Sequence, residues 1–229
     1  MNKLIDEWEN SINFKAINEI ESYLESGFER DLFSASILYL ANESDPLRLN
    51  SFCYSLRELL RNVFDRLSPV ENIKKCGWFK VETENGLPTR KQKYIYCIQG
   101  GLASDFVENE LGIHVLESWK EIKKIIDTLS KYTHVNVDTF NIENDKVTNI
   151  AREALESLLI IIQITNDTRE ELHSSLLSHI NKELLETFFM NSISEIESLS
   201  QNSYVDSFEI ENYSLSNVDH KELIFEGEG

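Results

Sequence analysis

Apolar residues recur at helical spacing through the first two hundred positions, with polar residues filling the faces between them. Leu4, Ile5, Trp8, Ile12, Ile17, Ile20 and Leu24 predict one or two short helices that end at Gly27. A second helix is expected over 29–41. The segment Asn42-Glu43-Ser44-Asp45-Pro46 follows, with an Asp cap and a Pro at the first helical position. The clearest stripe is Leu49, Phe52, Leu56, Leu59, Leu60, Val63, Phe64 and Leu67, which predicts a helix over 46–67 stopped by Ser68-Pro69. Residues 70–88 read as a connection, and Asn85-Gly86 suggests a turn with a small hairpin around it. Thr89 is placed to cap a helix over 90–98, ended by Gly100-Gly101. Ser104 or Asp105 opens a short helix to Glu110. Val115, Trp119, Ile122, Ile126 and Leu129 then mark a long amphipathic helix over 113–132. After a loop over 134–141, a helix begins near Val147. Its stretch 158–162 is apolar on all sides, as at the centre of a bundle. Asn166-Asp167-Thr168 reads as a break, before a last helix that carries Leu172, Leu176, Ile180, Leu184 and Phe188 towards position 200.

Beyond that point the period changes. Phe208, Ile210 and Tyr213, then Leu223-Ile224-Phe225, suggest strands. Two short strands do not make a domain, so they must pair with each other, with a partner, or with residues beyond Gly229. The expected fold is therefore mainly α: a multi-helix bundle over 1–200 with a short β-rich tail over 201–229. Composition agrees, because 8 Gly and 3 Pro in 229 residues are too few for a loop-rich or turn-rich all-β chain. Cys53, Cys76 and Cys97 form no CxxC pair, so a disulfide framework is not expected and a reducing compartment is. The opening MNKLIDEWEN has no secretory pattern, and the apolar run over 155–164 is far shorter than the roughly 20 residues that cross a bilayer. The expectation is a cytoplasmic protein without membrane contact.

Charge narrows the chemistry. Forty acidic residues against 22 basic ones leave a net charge of -18, which repels nucleic acid unless the cations are gathered. They are gathered over 48–98, where ten Lys/Arg face five acids. Such an island is either an anion site or an internal salt-bridge surface. On the helix over 46–67, Tyr54, Arg57, Arg61 and Asp65 lie opposite the apolar stripe, with Glu58 and Asn62 beside them. Uncovered, they form an i,i+4 network. Covered by a second helix, Arg57 and Arg61 converge where they can hold a phosphate. His134, in Lys131-Tyr132-Thr133-His134, is a candidate acid–base group, or simply a cation at a helix C-terminus. His114, His173, His179 and His220 read as structural or surface residues. No Cys/His spacing fits a metal, and Glu121-Ile122-Lys123 sits mid-helix rather than on the strand that an ExK nuclease motif needs, so no metal or other cofactor is expected. No phosphate loop or nucleophile elbow is present.

Four blocks in order carry a family resemblance: LRLNSFCYSLRELLRNVFDRLSP from Leu47, CGWFK from Cys76, TRKQKYIYCIQGGL from Thr89, and LSKYTHVNVDTF from Leu129. Together, from about Leu47 to the C-terminus, they resemble the predicted pPIWI-associating nuclease family of prokaryotic conflict systems. The Arg-rich helix with a His at the end of a later helix is also similar to HEPN-type helical ribonucleases. Those carry Arg and His close together on one helix, whereas here about seventy residues separate Arg61 from His134. The resemblance implies a nuclease-type effector acting on RNA or single-stranded DNA. His134 would act as acid or base, Arg57 and Arg61 would stabilise phosphate charge, Arg90, Lys91 and Lys93 would hold the backbone, and Tyr132 would stack on a base. It also implies a longer β-rich tail than this chain has. The alternative is a non-catalytic helical module that binds a protein partner of a defence operon. An acidic DNA mimic fits the basic island less well. A homodimer through the long helical face is a further expectation.

Overall fold

The stripe beginning at Leu49 is buried along its length, with Phe52, Leu56 and Leu59 fully enclosed, and the other helices assemble around it. The computed structural model describes residues 14–25, 27–199 and 213–227. Among these the chain is mainly α: α1 (Phe14–Tyr23), α2 (Phe28–Ala41), α3 (Arg48–Leu67), α4 (Val70–Ile73), α5 (Arg90–Gln99), α6 (Ser104–Asn109), α7 (Val115–Lys131) and α8 (Asn144–Leu199). A two-stranded antiparallel hairpin follows, β1 (Tyr213–Val218) and β2 (Leu223–Gly227), with a register irregularity between Leu215 and Asn217. Helices α3, α5, α7 and α8 share one core. Tyr94 is fully buried at its centre, 5.6 Å from the Trp119 ring and 6.2 Å from Phe64, and its hydroxyl donates to Ser118 Oγ at 2.8 Å.

The helical pattern holds, with local corrections. Helix α3 begins at Arg48, two residues later than expected, because Asp45 Oδ1 accepts the Leu47 N–H at 2.8 Å and keeps Pro46 in a turn. The connection over 70–88 contains the short helix α4. Asn85-Gly86 does form a turn, with Gly86 at φ 67°, but no strands flank it. The break expected at Asn166-Asp167-Thr168 is absent, and α8 runs through it. Thr165 and Thr168 donate to the carbonyls of Ile161 and Ile164, both at 2.7 Å, so these hydroxyls bond back into the helix instead of capping a new one. Thr89 caps α5 as expected, in a full capping box with Gln92. Tyr213 and Leu223-Ile224-Phe225 lie in the paired strands, whereas Leu4, Ile5, Trp8, Ile12, Phe208 and Ile210 are outside the described residues.

Two contacts position the rest. Helices α2 and α3 form a hairpin closed by Arg66, whose Nε reaches Glu29 Oε1 at 2.8 Å and whose Nη2 reaches Oε2 at 3.0 Å. Burial alone would raise the Glu29 carboxyl, but the Arg66 fork and the Glu25 N–H outweigh it and hold the pKa below its ordinary value of 4.5. The hairpin turn docks on Gly100-Gly101, where Gly101 N–H donates to Asp219 O at 2.8 Å. A Cβ on Gly101 would stand 2.6 Å from His220 Cα, and one on Gly100 only 2.4 Å from Val218 O. The pair thus serves close backbone approach as well as ending a helix.

Gly101→Ala is expected to lower stability by about 1–3 kcal/mol through overpacking, with amide exchange rising first over 213–227. A melt with uniform exchange across the chain would contradict the docking role. Because folding lowers the Glu29 pKa, its contribution is present above about pH 4.5 and lost as the pH falls through the folded value. Glu29→Gln is expected to cost about 2 kcal/mol at pH 7 and to flatten the acid limb of the stability curve. Equilibrium denaturation at several pH values measures both.

Candidate functional site

The polar face of α3 is partly covered, with Tyr54 and Arg61 still exposed. Helices α5 and α7 pack beside it and enclose a cleft of about 180 Å³. Its floor is apolar, made of Leu60, Phe64, Pro88 and Ile126. Its walls carry four cations, Arg57 and Arg61 from α3 with Arg90 and Lys93 from α5, and two carboxylates, Glu58 and Asp65. The spacing explains the convergence. Positions 57 and 61 are one turn apart on α3, and 90 and 93 share a face of α5. Four of the seven residues singled out from the sequence therefore meet in one place.

The cations are not equivalent. Arg61 is about half exposed, and it donates to Glu58 Oε2 at 2.8 Å and to Asp65 Oδ2 at 3.4 Å. Glu58 first, then Asp65, push its pKa above the ordinary value. Lys93 is half-buried and makes a short contact to Asp65 Oδ1, so Asp65 bridges the two walls. Arg57 lies 3.8 Å from Glu58 and stacks at 5.6 Å over Tyr54. Its Nη1 donates to Thr133 Oγ1 at 3.3 Å, while its Nε is buried without a hydrogen-bond partner. Arg90 is exposed and enters no ion pair among the described residues.

The other three residues stand apart. Lys91 projects from α5 into a separate cavity with Trp78, Lys80 and His114, because one residue along a helix turns the side chain by about 100°. Tyr132 ends α7, its ring 5.6 Å from Lys131 Nζ, and it lines a depression with Val137 and Phe140. His134 is exposed just beyond the α7 terminus and is not among the residues lining the cleft. Its link to the cleft is indirect, through the Arg57–Thr133 hydrogen bond one residue away. Two residues the sequence reading passed over reach the same turn. Asn50 Nδ2 donates to Tyr132 O at 3.0 Å, and Thr139 Oγ1 donates to His134 O at 2.7 Å. Asn50 lies seven positions before Arg57, on the same face of α3, and that spacing was the available signal.

Residues 21–158 match the family described as predicted pPIWI-associating nuclease, and residues 165–229 match a second family of the same description. The chain belongs to the predicted pPIWI-associating nuclease family. No curated protein and no solved structure matches it. In this pPIWI-associating nuclease family member the two matched segments meet inside α8, which crosses the junction as one helix. The hairpin of the second segment docks on Gly100-Gly101 of the first. Both segments thus build the body that holds the cleft.

The basic island of the sequence divides in two. Arg48 and Arg66 are structural: Arg48 is buried and donates to Leu40 O and Asn144 Oδ1, and Arg66 holds Glu29. Arg57, Arg61, Arg90 and Lys93 form the cleft. Among the described residues no three His, Cys, Asp or Glu side chains gather as metal ligands, and no helix is long and apolar enough to cross a membrane. The thiols are poor nucleophiles. Burial pushes Cys53 and Cys97 up to about 12, and burial with the nearby Asp219 pushes Cys76 to about 11.

An alkylating reagent at pH 8 is expected to leave all three cysteines unmodified in the folded chain, and to label them in urea. Mass spectrometry of intact protein reads the result. Rapid labelling of Cys97 without denaturant would contradict its enclosure.

Proposed function

We propose that the protein is a nuclease-type effector of a prokaryotic anti-phage or conflict system, acting on RNA without a metal. The observation that carries this reading is the open cleft in which Arg57, Arg61, Arg90 and Lys93 converge, tied through Arg57 to the turn that bears His134. In an acidic chain this is a local positive surface, and phosphate binding requires one. Arg57 and Arg61 neutralise the charge that builds on the scissile phosphate. His134 takes the proton from the 2′-hydroxyl or returns one to the leaving oxygen. Arg90 and Lys93 hold the flanking backbone, and Tyr132 offers a ring for an unstacked base. Lys91, on the far side of α5, contacts a longer strand or none.

A second reading has its own support. Arg61 and Lys93 already hold Glu58 and Asp65, as in a salt-bridge surface, and the net charge of -18 suits a protein partner better than a nucleic acid. Here the chain is a non-catalytic module of a defence system.

Single-stranded RNA incubated with the purified chain, with EDTA or with magnesium, separates the two. Cleavage that survives EDTA and falls about 100-fold or more in both His134→Ala and Arg57→Ala is expected. Cleavage that needs magnesium and ignores His134→Ala would overturn the site. No cleavage in any arm would favour the binding module.

A further inference from the structure

We propose that Asn50 and Thr139 are positioning residues that fix the backbone of the His134 turn, and so set where its imidazole stands beside the α3 cleft. The inference rests on reading His134 as the proton-transfer group. Asn50 is 5% exposed and Thr139 3% exposed, and each donates to a carbonyl of one three-residue turn, in which Tyr132 and Thr133 are partly buried and His134 is exposed. Asn50 Nδ2 holds Tyr132 O at 3.0 Å from the α3 side. Thr139 Oγ1 holds His134 O at 2.7 Å from the opposite side and also accepts the Asn136 N–H at 3.0 Å. Between them, Arg57 Nη1 reaches Thr133 Oγ1, which itself donates to Ser130 O at 2.8 Å. Three consecutive residues are thus held by three separate side chains.

Fold stability does not account for this arrangement. Carbonyls at an exposed helix end can be satisfied by water. An apolar residue at position 50 would extend the stripe of Leu49, Phe52 and Cys53, at the cost of the one hydrogen bond to Tyr132 O. The Asn instead leaves its Oδ1 buried with no partner, and Arg57 leaves its Nε in the same condition. Both side chains stand on one face of α3, and each reaches the turn through a different atom, Asn50 Nδ2 and Arg57 Nη1. Unsatisfied buried polar groups that converge in this way belong to a site whose geometry is being held. The His134 ring is exposed, while the carbonyl of the same residue is held by Thr139.

The test uses the full chain with Thr139→Val, Thr139→Ser and Asn50→Leu, and reads the His134 ring resonances by NMR, assigned by their loss in His134→Ala. The expected result is that Thr139→Val and Asn50→Leu shift or broaden the His134 signals. Thr139→Ser, which keeps the hydroxyl, should match the wild type. RNA cleavage should fall about tenfold or more in kcat, with KM held, in the first two variants and recover in Thr139→Ser. His134 signals unchanged in both variants would overturn the proposal. So would moved signals with full cleavage, where His134→Ala itself abolishes it. A wild-type chain that cleaves nothing while the signals move as stated upholds the tether and overturns the proton-transfer reading instead. Thr139 lies in the loop, outside the helix packing, so its pair of variants decides the matter even where Asn50→Leu does not fold.

Discussion

Everything in the site depends on α3 being held at both ends by guanidinium groups. At its N-terminus the buried Arg48 donates to the last turn of α2 at Leu40 O, 3.0 Å away, and to Asn144 Oδ1 at the start of α8, 2.6 Å away. At its C-terminus Arg66 forks onto Glu29 in the first turn of α2. The Arg66–Glu29 contact puts a cation at the C-terminus of α3 and an anion at the N-terminus of α2, in agreement with the backbone dipoles, whereas Arg48 meets the C-terminal end of α2 but also stands at the N-termini of α3 and α8. The middle of α3 then presents one face to the core and the other to α5 and α7. Arginine serves both purposes, because its planar fork holds a buried partner as readily as it holds a phosphate.

The cleft is a balance of opposite charges, not a bare basic groove. Four cations face Glu58 and Asp65, and Asp65 spans from Arg61 to Lys93. In the absence of substrate such pairing keeps like charges from repelling across a narrow gap. On the proposed function, an entering phosphate would meet Arg57, Arg61 and Lys93 beside acidic partners and Arg90 without an ion pair among the described residues. It must also compete with two carboxylates, which favours a polyanion bound at several points over a single free anion. The apolar floor of Leu60, Phe64 and Ile126 keeps the cleft attached to the core, so its walls move only if the bundle does.

Much of this was legible in the chain. The stripe from Leu49 to Phe64 and the repeat from Val115 to Leu129 are long enough for the 3.6 period to speak for itself. Thr89 and Gln92 spelled out a capping box. Asn166-Asp167-Thr168 misled because cap residues report a break only when the backbone takes it, and here packing on both sides of the junction carries the helix through. Helical spacing brought Arg57 and Arg61 together, whereas Arg90, Lys91 and Lys93 came with the family resemblance, and the structure places Arg90 and Lys93 in the same cleft and Lys91 on another face. Tyr132, His134, Asn50 and Thr139 were harder. Their relation depends on how the end of α7 meets α3, a contact across some eighty residues of sequence that no local pattern encodes.

The central claim is that the α3–α5 cleft receives a phosphate backbone, and the salt dependence of binding to single-stranded RNA tests it most directly. Each phosphate contact on a single strand contributes roughly −0.7 to the slope of log K against log salt, so four cleft cations acting together predict a slope of about −3. Neutralising Arg57 and Lys93 together should bring the slope to about −1.5 by the same rule. A slope near zero, or one that the double substitution leaves unchanged, would contradict the account and return these side chains to the role of internal ion pairs.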